Sequence, residues 1–344
     1  MKGVGCRVKG KSISFWFKNA RYVALPQSLF PAVLAVCLAF PHPDFSYVYA
    51  VFAIVGVLFA HLGMNLLDDY FDYKNQKIGI RNELAENNTF ARTGKCSYLL
   101  SGEANTKQLF GVASLFLLIA LALGTIILFN RGTNLLWVVL TGGFLGVFYS
   151  AKPFCLGYRG FGELLVGVIF GPLLMTGVFY ASCGVYSPDV CLLSIAVGLL
   201  VTNILFTHGV MDYHPDKQMG KKTLAVLIRS KKGMLAVSCL LNILPFLLIG
   251  YGIFVHYLSL GYMLVFLALP LAICLIYLIW AFFRTPQRKF TPRLWMLRME
   301  NWEKISQAGN DWFMMRWYLS RNLTILFCLL SILASFISTN NIPL

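Results

Sequence analysis

The sequence predicts an all-α, polytopic membrane protein with about nine transmembrane helices. Three observations lead there. The 344 residues are 58% hydrophobic and only 12% charged, with a mean hydropathy of +0.69; soluble domains carry roughly 25% charged residues. Apolar runs of about 20 residues, long enough to cross hydrocarbon, recur along the whole chain. Lys and Arg then fall almost entirely in alternate connections between those runs.

In chain order the spans are expected at 22–41, 46–67, 109–129, 134–150, 161–181, 189–211, 234–256, 258–283 and 322–338. Backbone polar groups in lipid must be satisfied within the segment, and the apolar periods are not the alternation of a barrel strand, so helices are the expected form. No second soluble domain is visible, and residues 1–344 read as a single membrane-embedded domain. Residues 1–21 read as a cytoplasmic N-terminal segment, and the apolar run that follows as a first membrane span rather than part of a removed signal peptide. Residues 284–321, basic and aromatic, read as a cytoplasmic interfacial helix with Trp302, Trp312 and Trp317 at headgroup level.

The formal charge of +15 raises the question of nucleic acid, but its distribution answers it. Segments 1–21, 68–108, 151–160, 212–233 and 284–321 hold 28 of the 29 Lys and Arg, leaving Arg131 to the other side. That is the positive-inside pattern of an integral membrane protein with its N-terminus and long loops in the cytoplasm, supplemented by attraction to anionic membrane lipid. No nucleic-acid motif accompanies the charge. The nine cysteines include no C-x-x-C pair, so they predict neither a zinc site nor a redox motif.

Two stretches at the ends of spans carry the chemistry. In "GMNLLDDYFDYKNQ" a helix turning about 100° per residue puts Asn65 at zero, Asp68 near 300°, Asp69 near 40° and Asp72 near 340°, one polar face. Three carboxylates on one face of a membrane helix repel each other and resist burial unless a hard cation neutralises them. Magnesium takes oxygen ligands and shares its shell with substrate phosphates. The second stretch, "HGVMDYHPDKQMGKKT", offers Asp212 and Asp216, with Pro215 disfavouring one continuous helix there. Arg92, Lys95, Lys152, Arg159, Lys217, Lys221 and Lys222 surround these acids. Acids, metal and bases together suit a diphosphate leaving an allylic carbon.

The Asn65–Asp69–Asp72 pattern and the Asp212-x-x-x-Asp216 pair resemble the two motifs of the UbiA-type superfamily of membrane prenyltransferases. Within it, "NLLDDYFD", "LGYRGFGELLVGVIFGPLLMTGVFY", "GKKTLAV" and "ARYVALPQSLFPAVLA" are similar to the 1,4-dihydroxy-2-naphthoate polyprenyltransferases of menaquinone synthesis. The chain departs from the pattern in reading "NQKIGIR" with no acid before Glu83, in having His208 in place of an Asn, and in having Met211 in place of an Arg. The resemblance implies a bundle around a central cavity open to the cytoplasmic side. It also implies two Mg2+ ions bridging the motifs to a polyprenyl diphosphate, and an aromatic acceptor attacking the allylic cation. Asn65, Asp69, Asp72, Asp212 and Asp216 would be the catalytic and metal set, with Asp68 an additional metal ligand. Arg92, Lys95, Lys152, Arg159 and above all Lys221 would bind the diphosphate, and Tyr149 would face the cation or belong to a headgroup belt. Glu163 would orient the acceptor or pair with Arg159. His61 and His208 read as helix contacts rather than ligands. A bacterial inner membrane and no obligate protein partner are expected.

Two other classes use intramembrane acids. A secondary transporter places them near the bilayer midplane beside interrupted helices, whereas here they gather at span ends. A CDP-alcohol phosphotransferase spreads its Asp residues over one long motif with an Ala-Arg pair that is missing here. Within prenyl transfer, 4-hydroxybenzoate and other quinone or lipid acceptors remain open.

Overall fold

The computed structural model describes residues 12–74, 96–286 and 288–340. Among them the chain is helical apart from turns and one isolated β-bridge between Arg159 and Lys222. A short helix α1 (Ile13–Asn19), capped by the Ser12 side chain, leads into α2 (Pro26–Ala39). The long helices α3 (Tyr47–Lys74), α4 (Thr106–Arg131), α5 (Leu136–Ser150), α6 (Gly162–Cys183) and α7 (Pro188–Met211) follow. Two short helices, α8 (Tyr213–Gln218) and α9 (Leu224–Ile228), precede α10 (Lys231–Phe254), α11 (Leu260–Arg284) and α12 (Asp311–Asn340).

Eight of these segments are long and apolar enough to cross a membrane. The first expected span, 22–41, contains a 3-10 turn (Tyr22–Ala24) and the 14-residue α2, which begins at Pro26. At 1.5 Å per residue α2 is about 21 Å long, short of a ~30 Å hydrocarbon layer. Helix α3 has the opposite mismatch. Its 28 residues extend about 42 Å, so roughly eight residues outrun the hydrocarbon, and Asp68, Asp69 and Asp72 lie on that overhang.

The expected interfacial helix across 284–321 is corrected. Helix α12 begins at Asp311, and Trp312 and Trp317 belong to it. The buried face formed by Phe313, Met315 and Leu319 runs without a break into the last span, so packing carries the helix past its apolar stretch. Trp302 lies on a separate six-residue helix, Trp302–Gln307, packed against the core.

Helix α7 is the most enclosed span and packs on α10, α12, α6 and α2. Its contact with α6 is made backbone to backbone. A Cβ on Gly171 would lie 2.4 Å from the Ser194 carbonyl oxygen and 2.5 Å from Gly198 Cα. Small residues let membrane helices approach this closely, where dispersion rather than water exclusion drives association. Pro172 removes a backbone donor in the same stretch, which winds as a π-turn over Ile169–Leu173. Between α7 and α10, Asn203 Nδ2 donates to Asn242 Oδ1 at 2.9 Å.

At the end away from the acids, Arg131 explains its exception to the charge pattern. Its guanidinium donates to the carbonyls of Asp44 (2.7 Å), Ser182 (2.7 Å) and Ala181 (3.1 Å), tying three connections together. The described cysteines are all free thiols.

Gly171→Ala forces α6 away from α7 against backbone atoms that have no rotamer to yield. An overpacking penalty of about 1–3 kcal/mol is expected, read as a lowered Tm in detergent; an unchanged Tm would contradict the close approach.

Candidate active site

Asp68, Asp69 and Asp72 on the α3 overhang each have partners from a different part of the chain. Arg21, in a left-handed conformation (φ 61°) just after α1, donates through Nη2 to Asp69 Oδ1 (2.8 Å), Asp68 Oδ2 (3.0 Å) and the Asn65 carbonyl (2.9 Å). Asn65 Nδ2 returns a bond to the Ala20 carbonyl at 2.9 Å. That bond fixes the amide orientation and leaves the side-chain oxygen as the atom suited to a cation. Asp69 Oδ2 also accepts from the Tyr98 hydroxyl at 3.1 Å, and Asp72 Oδ1 from the Tyr158 hydroxyl at 2.6 Å. Asp68 Oδ1 accepts from Ser150 Oγ. Asp69 and Asp72 are buried and Asp68 is partly open.

A second, smaller core holds these partners in place. Trp16, Ala20, Leu62, Leu66, Tyr98, Leu99 and Leu109 are among its buried members, and the rings of Phe15 and Trp16 meet the Tyr98 ring edge-on. The N-terminal segment is thereby packed against the overhang.

The second motif forms where α7 stops. Asp212 is the hinge between α7 and α8, and its backbone N–H still donates to the His208 carbonyl. Pro215 lies in α8, so the helix restarts rather than continues. Asp212 and Asp216 are 1% and 3% exposed. Asp212 Oδ2 lies 3.0 Å from His208 Nε2, and the His208 ring meets Phe313 of α12 edge-on. His208 is thus both a helix contact and a partner of an acid. His61 is a helix contact: its Nδ1 lies 2.8 Å from Ser28 Oγ and its ring tilts onto Phe170.

Tyr158 joins the two motifs. Its hydroxyl holds Asp72, its carbonyl accepts the Lys222 N–H (3.2 Å), and its ring lies 5.6 Å beneath the Lys221 ammonium. The connection between α5 and α6 therefore bridges the two acidic loops. Burial, then the neighbouring Asp72 carboxylate, raises the Tyr158 phenol above its ordinary range; burial and Asp69 do the same for Tyr98. Both phenols stay protonated and donate. Burial by itself would lower the Arg21 guanidinium, but Asp69 and Asp68 outweigh it and raise it.

The remaining expected residues are placed as follows. Tyr149 packs its ring over Gly157 and Gly162, where added Cβ atoms would lie 2.8 Å from the ring and 3.2 Å from its hydroxyl. Lys152 is exposed. Glu163 does not pair with Arg159: its Oε1 accepts the Leu224 N–H at 3.0 Å, while Arg159 donates to the Pro153 carbonyl at 3.0 Å in its own loop. An unsatisfied N–H at the start of α9 outcompetes an exposed guanidinium for that buried carboxylate. Arg92 and Lys95 lie outside the described residues. Arg21, Tyr98, Ser150 and Tyr158 were not singled out by sequence. Arg21 was hidden among topology charges, and Tyr158 stood in plain view within "LGYRGFGE".

Comparison with known proteins finds relatives in both sequence and fold. The chain is 29% identical over 203 residues to the 2-carboxy-1,4-naphthoquinone phytyltransferase of Synechocystis sp., covering 58% of this chain and 65% of that protein. It is 25% identical over 207 residues to the 1,4-dihydroxy-2-naphthoate octaprenyltransferase of Bacillus subtilis, covering 60% and 63%. The matched stretch thus spans slightly less than two thirds of the length of either relative. In fold it resembles a UbiA homolog from Archaeoglobus fulgidus, solved bound to GPP and Mg2+. The TM-score is 0.55 and the identity 19%, over 92% of this chain and 99% of that one. With residues 28–302 matching its family model, both acidic stretches included, the chain belongs to the UbiA prenyltransferase family.

Proposed function

We propose that this protein transfers a polyprenyl group from a polyprenyl diphosphate to an aromatic acceptor, 1,4-dihydroxy-2-naphthoate, with loss of the acceptor's carboxyl group as carbon dioxide. The observation that carries this reading is the Tyr158 bridge, which brings two buried acid pairs and Lys221 to one end of a helical bundle. The relatives named for naphthoate and naphthoquinone substrates supply the acceptor class.

The donor set fits magnesium. Asp69, Asp72, Asp212 and Asp216 offer oxygen only and are buried, and Asn65 and Asp68 share the polar face of α3 with the first pair. Among the described residues no three His, Cys, Asp or Glu form a ready-made cage; magnesium is commonly held by one or two carboxylates, waters and substrate phosphate oxygens. Each motif would hold one of two ions. Bound there, magnesium supplies charge neutralisation for the departing diphosphate.

The chain's own groups do the rest. Lys221, half-buried above Tyr158, and Lys152, exposed in the connection between α5 and α6, are the cations we assign to the diphosphate. Their charge favours the diphosphate as it leaves, when its negative charge is greatest. Tyr158 and Tyr98, held protonated, fix Asp72 and Asp69 in position. Glu163, by accepting the Leu224 N–H, secures the segment that carries Lys221. The face of the Tyr149 ring could stabilise the allylic cation. As the C1–O bond to diphosphate breaks, the ring carbon bearing the carboxylate bonds to C1 of the prenyl group, and the electrons of its bond to the carboxylate return to the ring as carbon dioxide leaves. The Lys and Arg distribution supports this site facing the cytoplasm, and the bacterial relatives support an inner membrane.

Purified protein given a polyprenyl diphosphate should prenylate dihydroxynaphthoate in magnesium and not in EDTA, with the product mass showing loss of carbon dioxide. Prenylation of 4-hydroxybenzoate instead would move the acceptor and keep the chemistry. Asp69→Ala and Asp212→Ala should each abolish turnover while eluting as folded protein; activity in both would remove the metal assignment. Tyr158→Phe keeps the ring under Lys221 but removes the bond to Asp72. A charge-assisted bond of ~1.5–3 kcal/mol predicts a fall in kcat/KM of roughly ten- to a hundredfold.

A further inference from the structure

The connection between α11 and α12 contains a feature that the proposed chemistry does not use. Three apolar side chains in one turn point away from the protein: Leu294 is 100% exposed, Trp295 46% and Leu297 36%. Met296 and Met299, between and beside them, are buried. Leu297 adopts φ 63°, ψ 175°, a backbone region strained for a branched side chain. Such strain persists only where surrounding contacts over-determine it.

Those contacts come from α12. Asn322 Nδ2 donates to the carbonyls of Met296 (2.9 Å) and Arg298 (3.3 Å), and Asn322 is itself held by the buried Arg321. The Tyr318 hydroxyl donates to the Glu300 carbonyl at 3.0 Å. The Arg316 guanidinium lies 5.9 Å from the Phe290 ring. The turn is a fastened projection.

Its depth follows from helix length. Ser338 bonds Ser259, so it lies level with the turn at the end away from the acids. Counting back roughly 20 residues, the length that crosses hydrocarbon, brings the other edge of that layer near Leu319. The turn is fastened at Tyr318 and Asn322, which is the level of that edge. It also lies at the acid end, since Lys231, at the start of α10, donates to the Phe283 carbonyl just before the turn's connection begins. Around the apolar apex, Arg288, Lys289, Arg293 and Arg298 are exposed; Glu300 is the one exposed acid between Arg284 and Asn301.

We propose that residues 293–298 form a wedge seated in the interfacial layer of the leaflet at the acid end. There Leu294, Trp295 and Leu297 insert among acyl chains while Arg288, Lys289, Arg293 and Arg298 bind the headgroups of anionic phospholipids. Exposed aliphatic and Trp side chains beside cations favour this depth. Phospholipid phosphate, abundant in the leaflet, supplies the negative charge that complements the four cations. The inference rests on the chain spanning a membrane and is independent of prenyl transfer.

The test uses the full-length protein in nanodiscs of brominated phosphatidylglycerol or brominated phosphatidylcholine. The wild type should be quenched more strongly in the anionic discs, and high salt should narrow the difference. Trp295→Phe should remove a quenched component. If the mutant's quenching equals that of the wild type, Trp295 lies in water and the wedge is wrong. Equal quenching in both lipids at low salt would overturn the anionic preference. In a second measurement, native mass spectrometry counts retained phosphatidylglycerol. Neutralising the four cations to Gln should lower that retention at least tenfold, from about two- to fivefold per cation; unchanged retention would refute the headgroup contacts. Neither readout depends on turnover, so failure here leaves the catalytic reading standing, and the reverse.

Discussion

Carboxylates brought to the edge of a hydrocarbon layer set the terms for the rest of this protein. An ionised carboxylate removed from water without compensation is among the most unfavourable groups a fold can bury, and six described ones are nearly enclosed, Asp69, Asp72, Asp212 and Asp216 among them. The structure compensates by distributing the donors. Arg21 comes from the N-terminal segment, Tyr98 from the loop before α4, Ser150 from the end of α5 and Tyr158 from the α5–α6 connection. Segments far apart in sequence must converge for the α3 overhang to be tolerated. The charged end of α3 thus organises tertiary structure as well as chemistry.

The remainder of the bundle supplies rigidity on which that convergence relies. Helix α7 carries the second motif at its end and is fixed along its length by the glycine contact with α6, the Asn203–Asn242 bond with α10 and the packing of α12. Asp212 begins where that support stops. The hinge at Asp212 and Pro215 lets two acids leave a rigid rod at a defined point, with His208 and Phe313 bracing the first of them.

Much of this could be read from the residues, because hydrocarbon imposes strong, one-dimensional constraints. A run such as 109–129 admits one fold, and the crowding of Asp68, Asp69 and Asp72 on one face follows from helical geometry. What escaped the sequence depends on contacts between distant segments. Arg21 counted as one of six cations in a basic flank; nothing local says that its neighbour is Asp69. Glu163 and Arg159 are four residues apart and of opposite sign, yet the carboxylate turns to Leu224 because a helix start offers a buried donor. The true start of the last helix escapes the hydropathy pattern because its amphipathic first turns, 311–321, are buried by tertiary packing.

The bond between Arg21 and the α3 acids also has a direction in time. A chain made from its N-terminus contains Arg21 and Ala20 before it contains Asn65, Asp68 and Asp69. Tyr98 follows about thirty residues later, then Ser150 and Tyr158, and Lys221 arrives last. Each acid of the first motif therefore emerges into a nascent chain that already holds a guanidinium able to meet it. The hydroxyl donors that complete the cluster are added in order as synthesis proceeds. Vectorial synthesis and electrostatic compensation run in the same sense along this polypeptide.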